Sequence, residues 1–211
     1  TILLVSHDIQ LVKSYCHRAI YLKNGQLAYD GACEKSTELF LMDMRIDQQA
    51  SSTSSSVEQK AALNDESGFA FGSDSGRIID IEIGSGAVRK NHFASGEKIQ
   101  VKVTAQVSKS IRNPLLALVI RDARGYNLFA YDTAFAGVRI LPDPDGIIKG
   151  TFGFICRLQE GNYSLTLRLD DYQSESLNLV LDKQVNVAQF KVLTDGKHFN
   201  GVVDLSGEFT L

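Results

Sequence analysis

A chain of 211 residues, 44% hydrophobic and 22% charged with no tryptophan, is long enough to bury a substantial core and too apolar to be disordered throughout. Its formal net charge of −3, with the basic residues dispersed, leaves no electrostatic footprint for nucleic acid and argues against a polyanion held by charge alone. The three cysteines, Cys16, Cys33 and Cys156, form no C-x-x-C pair and no cluster with histidine, so neither a disulfide framework nor a metal site is expected; no apolar stretch approaches the ~18 residues of a membrane span, and a reducing cytoplasmic compartment follows.

The chain opens at Thr1 inside an apolar run without an initiator methionine, and reads as a piece of a longer protein. Residues 1–47 have α/β grammar. Ile2 to Val5 is a continuous apolar strand, and Ile9, Leu11, Val12 and Tyr15 recur at helical spacing between Asp8 and His17. Ala19 to Leu22 and Leu27 to Tyr29 are strands around an Asn24-Gly25 hairpin turn, and a helix is expected from about Glu34 to Arg45. Residues 48–76, with the run Ser51 to Ser56 followed by acidic and glycine-rich sequence, bury too little apolar surface to offset their ordering entropy and read as a flexible linker.

From Arg77 to Leu211 the period changes to two. Ile99, Val101, Val103, Ala105 and Val107 alternate with polar neighbours, as do Tyr163, Leu165, Leu167 and Leu169. Further strands are expected at Ile78–Ile83, Leu115–Arg121, Asn127–Thr133, Lys149–Cys156, Leu177–Leu181, Val187–Leu193, Gly201–Leu205 and Phe209–Leu211, with turns at Arg124-Gly125, the Pro142 to Gly146 run and Asp195-Gly196. Residues 77–211 are therefore expected to form an antiparallel β-sandwich of immunoglobulin-like or jelly-roll type, making the whole mainly β with an α/β portion in front.

Ser6-His7-Asp8 falls where a strand gives way to a helix, a place from which an imidazole can reach a γ-phosphate and the attacking water. A structural histidine is the plainer reading of that spacing alone. However, the run Thr1 to Asp8, followed by Cys16 to Gln26 and Gly31, resembles the last segment of an ABC-transporter nucleotide-binding domain. The resemblance makes His7 the switch histidine of the whole ATPase. No G-x-x-x-x-G-K-[ST] occurs, and the acidic magnesium-holding strand end and the transporter signature are missing too. This stretch is expected to be no enzyme and to carry no cofactor, ATP and magnesium belonging to the full subunit.

In the β-region, Ala94 to Ile99, Leu118 to Gly125, Phe129 to Thr133 and Leu158 to Leu165 occur in order, followed by Ala188 to Val192 and Phe199 to Val203. So arranged they resemble the C-terminal domain of Wzt-type ATP-binding subunits of O-antigen polysaccharide exporters. The resemblance implies a sandwich that recognises the finished, often terminally modified end of a polysaccharide. It also implies a homodimer, a membrane-spanning partner subunit, and a cytoplasmic position peripheral to the inner membrane. An exposed strand at Gly207–Leu211 is expected to pair with a partner's edge.

A sugar site needs a flat apolar surface with planar polar groups beside it. If Leu116, Leu118 and Ile120 point to the core, then Leu115, Ala117, Val119 and Arg121 form an unusually apolar outward row, the mark of a covered or ligand-binding face. Asn127, Phe129, Tyr131 and Thr133 line a neighbouring strand, and Thr166 and Arg168 another. Arg121, Tyr131 and Arg168, with Asn127 secondary, are thus the candidate glycan contacts, suited to an anionic terminal group. The alternative is a dimerisation or docking domain that touches no sugar. A glycoside hydrolase needs two facing carboxylates, and nothing singles out such a pair. Asp143 and Asp145 lack the spacing of a calcium loop and read as a proline-pinned turn.

Overall fold

The computed structural model describes residues 2–50, 60–62, 69–174, 177–194, 199–206 and 210. The chain divides into two compact units, one of Thr1–Glu58 with Ala123–Tyr126, the other of Gln59–Asp122 with Asn127–Leu211.

In the first unit the Asp8 carboxylate accepts from the backbone N–H groups of Gln10 and Leu11 at 2.9 and 3.1 Å. That cap satisfies donors with no partner inside the helix and starts α1 (Ile9–Tyr15). The strand expected at Ile2 to Val5 does not form, and its side chains project into solvent, Ile2 at 96% and Val5 at 87% exposure. A lone extended segment without a ladder neighbour has no partner for its own N–H and C=O groups. The hairpin of β1 (Arg18–Lys23) and β2 (Gln26–Ala32) forms as expected, Asn24 and Gly25 turning with φ of 52° and 77°. α2 (Cys33–Ala50) follows, and its Asp43 takes the Tyr21 hydroxyl at 2.7 Å and the Lys23 ammonium at 2.8 Å. The Tyr21 ring meets Phe40 edge-on, which closes the hairpin onto the helix.

The second unit comprises β3 (Lys60–Ala62), β4 (Phe69–Gly72), β5 (Gly76–Ser85), β6 (Val88–Arg89), β7 (His92–Ala94), β8 (Lys98–Val107), β9 (Pro114–Asp122), β10 (Asn127–Asp132), β11 (Ile147–Ile155), β12 (Gly161–Ser174) and β13 (Leu177–Leu193). One sheet runs β10-β9-β12-β13-β4-β3, with β7 parallel beside β13; the other runs β11-β8-β5-β6, and every pairing except β7 with β13 is antiparallel. The alternation read in β8 and β12 is what joins them. Ile99, Val101, Val103 and Ala105 from one sheet, and Leu118, Leu165, Leu167 and Leu169 from the other, share a single core and are at most 1% exposed. A buried polar tie crosses it: the Asp182 carboxylate of β13 accepts from the Ile78 N–H of β5 at 2.8 Å, and Gln184 Nε2 donates to both the Ile78 carbonyl and Asp182.

Three expectations are revised. The stretch read as linker contains β4, whose four residues pair with Asp182–Val185 of β13, and α2 runs to Ala50; segments so short carry no legible period, and a neighbour's edge recruits them. Leu177–Leu181 and Val187–Leu193 are one strand, β13, whose register shifts and left-handed Asn186 absorb the break in pattern. Gly201–Leu205 contributes only a bridge between Val203 and Leu158. The expected strand at Phe209–Leu211 and the edge at Gly207–Leu211 fall, Thr210 apart, outside the described residues, as does the Asp195-Gly196 turn.

Candidate functional site

The four residues expected to contact glycan lie on two different faces. Arg121 pairs with Asn127 across β9 and β10, and its Nε donates to the Asn127 side-chain Oδ1 at 3.0 Å. Arg168 lies opposite Ala117 on β12, and its guanidinium forms an ion pair with the Asp170 carboxylate at 2.7 Å. These three share the outward face, but the row there is covered: Leu115, Ala117 and Arg121 are 4%, 7% and 3% exposed, and Thr166 and Asp170 are fully buried. Tyr131 is elsewhere. A bulge between Asn127 and Phe129 inverts the alternation of β10, so that Phe129 opposes Ile120 and Tyr131 opposes Leu118, both on the inner side.

That inversion builds a different site. β10 is an edge strand of one sheet and β11 an edge strand of the other, and a cleft of about 470 Å³ opens there, within the ~300–1,000 Å³ usual for small-molecule sites. Leu116, Ile148 and Phe152 give it an apolar floor, and residues 133–141 form its wall. The wall is held by local bonds: Asp132 Oδ1 accepts from Phe135 N at 2.7 Å, Val138 N donates to the Thr133 carbonyl at 2.8 Å, and Gly137 turns with φ of 66°. Thr133 anchors it to β9, donating its N–H to the Leu116 carbonyl at 3.0 Å and accepting at Oγ1 from Leu116 N at 3.3 Å.

An aromatic chain runs along this edge. Phe154 lies 6.1 Å from Phe129, Phe129 stacks on Tyr131 at 6.0 Å and 11°, and Tyr131 meets Phe135 edge-on at 5.5 Å. Phe135 is 82% exposed. The charged groups lining the cleft are Arg139 and Lys149, and no carboxylate is among its described lining residues, so it lacks the acid pair of glycoside hydrolysis. A second cavity of about 140 Å³ shares Thr133, Val138, Arg139 and Ile140 with the first and adds Tyr172 and Asn113. Such a surface can stack the C–H faces of rings and bond hydroxyls beside them. Arg139, Lys149 and Phe154 were not singled out by sequence reasoning; the available signal was the cluster of Phe135, Val138 and Leu141, apolar residues between strands. His7, in the other unit, is exposed.

A model of the Wzt C-terminal domain family matches residues 69–205, from β4 to beyond β13. The chain belongs to this family. The crystal structure of the C-terminal domain of Wzt superposes with a TM-score of 0.63 at 18% identity, covering 68% of this chain and 88% of that one, and so shares its fold. The soluble domain of PmoD from Methylocystis sp. ATCC 49242 (Rockwell) aligns over 63% of this chain and 95% of its own at 14% identity, but its TM-score of 0.28 carries no argument. No curated protein matches. The family match spans β9, β10, β11 and the 133–141 wall, so the edge cleft lies wholly within the Wzt C-terminal domain.

Proposed function

We propose that this Wzt C-terminal domain binds an O-antigen polysaccharide for export by an ABC transporter, and that the glycan lies in the edge cleft beneath residues 133–141. The observation that carries this reading is the run of four rings, Phe154, Phe129, Tyr131 and Phe135, beside a cleft edged by Arg139 and Lys149. Rings supply stacking surface, and the Arg139 guanidinium suits hydroxyls or an anionic end group. The domain itself is non-catalytic. ATP and magnesium act on the full subunit, where His7 serves as the switch residue, and the subunit works as a homodimer against a membrane-spanning partner at the cytoplasmic side of the inner membrane. Among the described residues no helix is long and apolar enough to cross a membrane.

The second reading, a docking or dimerisation domain without sugar contact, is favoured by the exposure of Phe135, Val138 and Leu141 at 82%, 56% and 75%. Calorimetric titration of the 211-residue chain separates the two. The probe is O-polysaccharide released from the lipopolysaccharide of the encoding organism, intact and with its terminal group removed. Binding to the intact chain that is lost on removing the end establishes end recognition, whereas binding to neither moves the assignment to docking.

A further inference from the structure

Strand β11 has a neighbouring strand on one side only among the described residues. It pairs with β8 in unbroken register from Ile147 opposite Gln106 to Ile155 opposite Lys98, and among the described residues no strand pairs with its other edge. The ends of the ladder fix which residues face which way. Val107 N donates to the Gly146 carbonyl at 2.9 Å and Cys156 N to the Glu97 carbonyl at 2.8 Å, so Gly146 and Cys156 direct main-chain groups toward the β8 side. In an antiparallel pair these groups alternate. Ile148, Gly150, Phe152 and Phe154 therefore bond to β8, while Ile147, Lys149, Thr151 and Gly153 send their N–H and C=O groups away from it.

At the first of these outward positions the chain supplies its own partner. Asp143 donates its N–H to the Ile147 carbonyl at 2.9 Å and accepts from Ile147 N at its Oδ1 at 2.8 Å. The next three, Lys149, Thr151 and Gly153, all line the cleft. Main-chain groups held there must be matched by water or by a ligand. We infer that the edge of β11 is the hydrogen-bonding ruler of the site: the outward N–H and C=O groups of Lys149, Thr151 and Gly153 bond successive hydroxyls of a glycan laid along the strand. This rests on the glycan reading above and says which atoms do the reading. A hydroxyl both donates and accepts, so one can meet the N–H and C=O of a single residue. The outward positions recur every ~6.8 Å, two strand residues at ~3.4 Å each. Recognition by main chain leaves the side chains of Lys149 and Thr151 to the exposed outer surface, where Lys149 and Thr151 oppose Thr104 and Lys102.

Proline at an outward edge position removes the N–H without taking a ladder bond, and strands accept it there. Thr151→Pro is therefore compared with Thr151→Ala in the titration with released O-polysaccharide. Thr151→Pro is expected to bind about tenfold more weakly than Thr151→Ala, the worth of a well-made hydrogen bond, because both lack the threonine side chain and only the proline lacks the N–H. Equal binding by Thr151→Pro overturns the inference and leaves the glycan reading standing, as does an equal loss in both variants. No binding by the unaltered chain overturns both. Amide ¹H–¹⁵N spectra of the unaltered chain provide a readout independent of whether the proline variant folds. The Lys149, Thr151 and Gly153 amides should shift on adding polysaccharide while those of Gly150 and Phe152 hold still; movement confined to the latter pair, or none, refutes the assignment.

Discussion

The outward face of β9 and β12 and the edge between β10 and β11 are both rich in hydrogen-bonding groups, but they direct them differently. On the face, Arg121 is 3% exposed and bonded to Asn127, while Arg168 is held by the fully buried Asp170. At the edge, Arg139 is exposed on a wall shared by two cavities, and the β11 main chain opens onto the larger of them. A guanidinium whose hydrogens are already placed in the interior contributes to the fold, because redirecting it toward a ligand leaves buried partners unmatched. One already in water can exchange that water for a ligand at far smaller cost.

The largest expected effect tests the edge. Gly150 has ordinary strand geometry, and a Cβ built on it meets only the Leu116 Cδ1 at 3.9 Å. Gly150→Leu should fill the cleft and abolish measurable polysaccharide binding, with a thermal midpoint close to the parent's because replacing a strand glycine recovers backbone entropy. Retained affinity in a folded Gly150→Leu chain places the ligand somewhere else.

The two arginines then give a crossed pair of outcomes. Arg121→Ala removes a buried guanidinium and should lower stability by about 1–3 kcal/mol in denaturant titration, with affinity unchanged. Arg139→Ala should leave stability within about 0.5 kcal/mol and weaken binding by about three- to tenfold. The reverse pattern, stability lost at 139 and affinity at 121, returns the site to the outward face. Phe135→Ala, at the solvent end of the ring array, should weaken binding only severalfold, since one exposed stacking contact is worth about 0.5–1.5 kcal/mol.

How far these regions could be read from the chain depends on the range of the forces that shape them. β8 alternates cleanly because one face is buried and the other wet, and Asn24-Gly25 turns because both residues tolerate positive φ. The bulge at Leu128 leaves no mark in composition, yet it moves Tyr131 from the outward side to the inner one and breaks up the predicted set. The apolar row Leu115, Ala117, Val119 needs cover or a ligand, but periodicity cannot say which, and the row is buried or half-buried. The cleft was illegible for another reason. Phe129 and Phe154 meet across two sheets whose edge order no local pattern encodes, and Ile2 to Val5 shows the converse, a strand pattern with no ladder to join.

The smallest effect concerns the polar tie between β13 and β5 that links the two sheets. Burial pushes the Asp182 carboxyl above its ordinary value, outweighing the hydrogen bonds from Ile78 and Gln184 that favour its charged form. A group that binds its proton more tightly folded than unfolded stabilises the fold below the unfolded pKa. That contribution is lost as pH rises through the higher folded value. Asp182→Asn keeps an acceptor for the Ile78 N–H but has no proton to lose, so its stability relative to the parent should climb between about pH 4 and the folded pKa of Asp182, then level off. Taking the difference between the two chains cancels Glu97, whose pKa is lowered chiefly by its hydrogen bond with Lys90 and which works in the opposite direction in both. A difference that stays flat with pH means that Asp182 titrates alike folded and unfolded, and the tie is then an ordinary hydrogen bond at the surface of the core.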